Sequence, residues 1–292
     1  MRQPRWLKLM LAACLCLFTT AWAVDLQPQG QIAAGLAAEP ALPPPQIHPL
    51  PPTLAAWQAT GQGDYFDAVT PTSVGYLVWS TFPIRVYIQP VDAADSTGRS
   101  QAWYEAVSQA VQEWTTYLPL VTTDAADQSD ITILRLAPAI RLAPATAPNQ
   151  ALIDRLPRVR AAETRYELFL QRHQSASEPL STTLIHRFTI QLTPNQAADY
   201  TKATARHELG HALGIWGHSP LPTDTMYFSQ VRNPATISQR DINTLKRIYQ
   251  QPTRLGWMFP KSNSAAGVYS VQTSVGWKQL HIKNIENNGA PA

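Results

Sequence analysis

Residues 207–227 read HELGHALGIWGHSPLPTDTMY. His207 and His211 stand four residues apart. On an α-helix that spacing is an offset of about 40°, so both imidazoles leave one face and can share one ion. Glu208 is placed to reach a water held by that ion without ligating it. Leu209, Ala212 and Leu213 point the other way, toward a core. Zinc suits such a site: neutral imidazole binds it at ~2.0–2.1 Å, and a catalytic site uses three protein ligands and keeps one position open. A histidine pair at this spacing also occurs in ordinary helices, and the residues that follow sharpen the reading. Gly214 can end the helix in a left-handed conformation and let the chain turn back under the ion. His218, after Gly217, is then the natural third ligand, and Met226 follows in Asp224-Thr225-Met226-Tyr227.

This order resembles the signature of the metzincin metallopeptidases, most closely their matrixin-like secreted bacterial members. HELGHALG at 207–214, HS at 218–219 and MY at 226–227 carry the likeness. So does Ile237-Ser238-Gln239-Arg240-Asp241-Ile242, close to a capping box, which opens a helix through Leu245, Ile248 and Tyr249. Upstream, Trp79 with the PIRVYI strand, the helix around Trp114 and the strand at Asp130-Ile131 follow the family's order, so the likeness covers roughly residues 75–250. It implies an α+β, zincin-like metalloprotease fold: a mixed twisted sheet with an active-site helix and a C-terminal helix. It further implies an exported zinc endopeptidase acting on a protein or peptide. His207, His211 and His218 would hold Zn2+, and Glu208 would be general base to the zinc-activated water, passing the proton to the leaving amine. Met226 would form a soft apolar floor beneath the ligands. Tyr227 could contact substrate or pack locally. The strand near 184–192 would be the edge on which extended substrate pairs, and the loop 227–236 would wall the pocket for the side chain after the scissile bond, with Arg232 a candidate to enter it.

Three departures from the family pattern stand out. The third histidine comes one residue late, with Gly217 in its expected place, which leaves Asp224 as an oxygen ligand, or a site with two strong ligands, as alternatives. The matrixin latency cysteine is missing, so a carboxylate from Asp64 or Asp67 is a candidate to occupy the open zinc position, against a plain turn. Structural zinc or calcium loops of the family type are not evident, and Ca2+ rests only on Asp124, Asp127 and Asp130, which more often serve as turn and capping residues. The rival readings are a non-catalytic exported binding module that keeps the fold, and a cell-wall peptide hydrolase. A glutamate-ligated zincin is disfavoured, because no glutamate lies between Glu208 and Glu286. His48, His173, His186 and His281 read as ordinary surface or strand histidines.

The elements that must position these groups are legible from periodicity. Ile84, Val86 and Ile88 alternate with Arg85, Tyr87 and Gln89, a half-buried strand, and ITILRL at 131–136 is another. Trp103, Val107, Ala110, Val111, Trp114, Tyr117 and Leu118 recur at helical spacing, predicting an amphipathic helix over 100–118. RYELFLQR (165–172) and STTLIHRFTIQL (181–192) form a candidate hairpin, and helix signals resume at 195–214. Residues 137–160 read as a Pro/Ala/Arg loop.

The ends of the chain read differently. Arg2, Arg5 and Lys8, then the apolar run 9–18, then Ala21-Trp22-Ala23 form a secretory signal over 1–23, too short to span a bilayer as a helix. Leu11-Ala12-Ala13-Cys14 also fits a lipid-attachment pattern, against which the very short apolar stretch before Cys14 argues. Both cysteines, Cys14 and Cys16, lie in this signal, so a core or a metal must hold the mature chain together. The signal also carries the whole charge excess. The net +3 falls to zero without it, which removes the basic footprint that nucleic-acid binding needs. Residues 24–72, rich in proline over 40–53, favour an extended spacer or pro-segment outside the core. A catalytic domain at 73–260 and a tail at 261–292 with weak strand character complete the chain. Its hydrophobic content of 45% excludes disorder throughout.

Overall fold

Seven strands form one mixed sheet in the order β2-β1-β3-β5-β4-β7-β6. In the computed structural model these are β1 (Ile84–Ile88), β2 (Leu120–Thr123), β3 (Ile131–Arg135), β4 (Ala162–His173), β5 (Ser181–Leu192), β6 (Gly267–Thr273) and β7 (Gly276–Asn284). The helices are α1 (Pro52–Ala56), α2 (Arg99–Thr115), α3 (Ala198–Ala212) and α4 (Gln239–Tyr249). The structure describes residues 42–59, 61–140, 160–173, 181–259, 267–273 and 276–284. The expected signal at 1–23, and most of the 137–160 loop, lie outside them. Among the described residues no helix is long and apolar enough to cross a membrane.

The mixed α and β content agrees with an α+β class. The strand alternation read from sequence is the burial pattern observed. Ile84, Val86 and Ile88 of β1 are buried while Arg85 and Tyr87 are not, and β5 buries every second residue from Thr182 to Leu192. β1, β2 and β3 run parallel, β3 joins β5 in parallel, and β4 and β5 form the expected antiparallel hairpin. Helix α2 packs on α3 through Trp114, which is fully buried and donates its indole N–H to the Arg206 carbonyl at 2.9 Å. Arg206 in turn sends its guanidinium to Glu113 of α2, so α3 is clamped to its neighbour by an aromatic and an ion pair.

Three expectations need correction. Residues 42–72 do not form a spacer outside the core. Leu42, Leu54, Tyr65 and Val69 are buried in it, Gln46 and Thr253 exchange main-chain hydrogen bonds at 2.9 Å, and the Trp57 indole donates to Asn243 of α4 at 3.0 Å. Proline sets an extended backbone without saying what lies beneath it, and the neighbouring segments here supply the donors that the prolines lack. The domain therefore begins before residue 73. The tail is not peripheral either: β7 pairs in parallel with β4, Leu168 opposite Ile282, and β6 pairs antiparallel with β7. Finally, β5 is not an edge strand, since β3 and β4 flank it on its two sides.

Two predictions follow from this packing. Leu54 is fully enclosed, so Leu54→Ala should cost about 2–5 kcal/mol in denaturant unfolding; a loss below about 0.5 kcal/mol, the range of ordinary surface changes, would return the segment to the status of a spacer. His186 is buried, and burial pushes its imidazole down to about 3. The unfolded chain takes up that proton near pH 6.5 and the folded chain only far below. Stability should therefore be intact above about pH 6.5 and fall as pH drops toward 3. A His186→Phe variant whose acid dependence matched the parent's would contradict this.

Candidate metal centre

Helix α3 carries His207 and His211 on one face, while Ala205, Leu209 and Ala212 are buried on another. Each ring is oriented by a main-chain carbonyl: His207 Nδ1 lies 2.8 Å from the Thr225 oxygen and His211 Nδ1 lies 2.7 Å from the Ile215 oxygen. A carbonyl only accepts, so Nδ1 of each ring carries a proton and Nε2 is the nitrogen left to act as a ligand.

The helix ends where the sequence placed its stop. Gly214 has φ +128°, which glycine tolerates, and a Cβ there would lie 3.1 Å from the Leu77 carbonyl oxygen. The chain then turns and brings up His218, an exposed ring whose centroid is 4.9 Å from that of His211 and 5.3 Å from that of His207. The candidate ligand nitrogens of the three histidines lie within 4.8 Å of one another. Tetrahedral ligands at ~2.1 Å from an ion stand about 3.4 Å apart, so the three rings are already grouped on the scale of one ion. The donor set fits zinc. Burial holds His211 well below the usual imidazole range, helped by the neighbouring His207, and lowers His218 in the same way. Both rings therefore favour the neutral form that binds metal.

The turn that carries His218 is held by the N-terminal segment. Val69 and Gly217 form an antiparallel bridge, and Thr70 N–H donates to the Trp216 carbonyl at 3.1 Å. A Cβ on Gly217 would lie 2.2 Å from the Ala68 carbonyl oxygen and 2.9 Å from Val69 Cα, so only glycine permits this approach. The alternative ligand is otherwise engaged. Asp224 is buried and accepts from Ser219, from Ser238 at 2.8 Å and from Arg240 at 3.0 Å. Among the described residues, His207, His211 and His218 are the one group of three or more His, Cys, Asp or Glu side chains able to share an ion. Asp124, Asp127 and Asp130 do not converge, and Asp130 binds Arg85 through two guanidinium contacts at 3.1 and 2.9 Å.

Glu208 stands beside the histidines and its carboxylate oxygen Oε2 accepts from the Thr164 hydroxyl of β4 at 2.5 Å. Burial raises its carboxyl above the usual range, countered by His207 and by that hydroxyl. A carboxylate with a raised pKa is better matched to proton transfer near neutral pH. Met226 is fully buried against the helix: a Cβ on Gly210 would lie 2.2 Å from its sulfur. The turn containing it is held by Asp241, the acidic member of the expected capping box with Ser238. Asp241 accepts from the Thr225 N–H at 2.9 Å, the Ser238 N–H at 2.7 Å and the Tyr65 hydroxyl at 2.5 Å.

Two clefts meet at the histidines. One, of about 800 Å³, lies over His211 and His218 between Thr72, Thr164 and Trp216. The other, of about 600 Å³, is walled by the loop after Met226, including Tyr227, Val231 and Ala235. Tyr227 packs on Phe228 with ring centroids 4.5 Å apart. Arg232 is not among the residues lining that cleft; its carbonyl accepts from the Tyr200 hydroxyl. Neither latency candidate joins the histidine group: Asp64 pairs with Arg247 at 2.7 Å, and Asp67 is exposed. Thr164, Thr225, Tyr65 and the 68–70 backbone escaped the sequence reading, because no spacing rule links a strand threonine or a linker backbone to a distant helix.

Comparison with protein-family models finds no match, and no curated protein matches the chain. The site therefore stands on its own geometry. Gly217→Val should displace His218 and lower bound zinc well below one equivalent while α3 persists by circular dichroism. Full zinc content in that variant would show that the strap does not position the third ring.

Proposed function

We propose that this chain is an exported zinc-dependent endopeptidase. The observation that carries the reading is the convergence of three imidazoles, two with their tautomer set by carbonyls, beside a carboxylate held by Thr164. The basic, apolar and small-residue order of residues 1–23 supports export.

His207, His211 and His218 would hold the ion, which supplies Lewis acidity for a peptide carbonyl and a water acidified towards pKa ~7. Glu208 does the proton work. With Thr164 bonded to Oε2, its other oxygen is the one left to take a proton from water and return it to the leaving amine. The substrate strand has a natural berth, on β4 instead of β5. β7 pairs with β4 at Leu168, Phe169 and Leu170, so among the described residues 164–167 have no strand partner on that side. That margin runs past Glu208, and its main-chain N–H and C=O groups suit an extended peptide. The cleft walled by Tyr227, Val231 and Ala235 then receives a side chain of that peptide.

Glu208→Gln should retain zinc and lose roughly 10²–10⁴-fold in casein hydrolysis. His211→Ala should lose the metal. An active Glu208→Gln enzyme, or full zinc in His211→Ala by elemental analysis, would overturn the assignment.

A further inference from the structure

Five residues line both of the clefts at the histidines: Arg160, Ala162, His207, Glu208 and Phe228. A peptide that fills both clefts has to cross them. His207 and Glu208 belong to the centre, Ala162 is short, and the exposed Phe228 ring offers an apolar surface. Arg160 has a different character. Among the described residues it is the one arginine or lysine that lines either cleft. It stands two residues before the start of β4, just ahead of the stretch proposed to take the peptide backbone. Arg160, Ala162 and Thr164 follow one another at intervals of two, and all three line the cleft over His211 and His218.

The acids of the two clefts are already engaged. Asp224 is held by Ser219, Ser238 and Arg240. Glu208 stands at the histidines with Oε2 on the Thr164 hydroxyl. Glu163 accepts at Oε2 from the Arg165 guanidinium at 2.5 Å, whereas Arg160 stays 3.8 Å from Oε1, beyond hydrogen-bond reach. One carboxylate thus meets two guanidinium groups, and the closer of them is Arg165. The charge of Arg160 is left in excess, on a long side chain that is 56% exposed and able to turn toward a ligand in the cleft. A guanidinium presents its donors as a planar fork, which fits a carboxylate through two parallel hydrogen bonds. A basic side chain at the same place is repelled, and a neutral one gains no ion pair.

We propose that Arg160 sets substrate preference, selecting peptides that carry a glutamate or aspartate side chain beside the bond that is cut. This rests on the endopeptidase reading and adds a substrate class to it. The residue acts on binding, through a carboxylate of the peptide, and takes no part in the proton transfers of Glu208.

Peptide hydroxamates test this without any cleavage, because a hydroxamate grips zinc directly. Two matched pairs are titrated by calorimetry into the zinc-loaded mature chain. One pair is acetyl-Ala-Glu-hydroxamate and acetyl-Ala-Gln-hydroxamate. The other carries a malonyl hydroxamate ahead of Glu-Ala-amide or Gln-Ala-amide, which puts the side chain on the opposite side of the metal. All peptide ends are blocked, so a terminal carboxylate contributes nothing. In at least one pair the glutamate compound should bind about fivefold tighter, and added salt should narrow the gap. Arg160→Gln should bring that pair level, with zinc content and affinity for the glutamine compound unchanged. Equal binding within both pairs, or a preference that survives Arg160→Gln, would overturn the proposal and leave the metal centre standing. Failure of every hydroxamate to bind would bring down the zinc reading itself, and the proposal with it.

Discussion

A main-chain carbonyl cannot donate a hydrogen bond, and the histidine centre depends on that constraint. Thr225 and Ile215 each present an oxygen to the Nδ1 of a helix histidine, so Nδ1 carries a proton and Nε2 is the nitrogen left for an ion. Both carbonyls belong to turns, not to the helix, and turns move unless something holds them. The turn at Ile215 is set by Gly214, in a backbone conformation that glycine adopts without strain. The turn at Thr225 is set by Asp241, whose buried carboxylate gathers the Thr225 N–H, the Ser238 N–H and the Tyr65 hydroxyl. One buried carboxylate thus connects the start of α4, the floor beneath the helix and the N-terminal segment to the orientation of a single imidazole.

The N-terminal segment has a second role that its composition hides. It contributes the backbone against which Gly217 packs, and pairs the turn ahead of His218 with Val69 in a short antiparallel bridge. The segment also buries Leu42, Leu54, Tyr65 and Val69, so Val69 both joins the core and supports the turn that carries His218.

The sheet divides its margins in the same economical way. β5 is flanked by β3 and β4, and among the described residues β7 pairs with β4 at Leu168, Phe169 and Leu170. The stretch of β4 before that pairing brings Thr164 to Glu208.

Local chemistry and period were readable from the chain alone. The four-residue histidine spacing, the glycine stop at 214, the capping box of Ser238 and Asp241, the β4–β5 hairpin and the alternation of β1 are all set by neighbours a few residues apart, where helix and strand geometry leave few choices. What only the tertiary structure decided was everything set across long separations. That Asp224 is consumed by Ser219, Ser238 and Arg240, that Asp64 answers Arg247, that the proline-rich segment buries Leu42 and Leu54 in the core, and that β5 lies between β3 and β4 all depend on which surfaces meet. An extended proline run has one backbone shape whether it crosses solvent or covers a hydrophobic groove, and a carboxylate has the same formula whether it faces an ion or a guanidinium. Their roles come from the partner that folding brings to them.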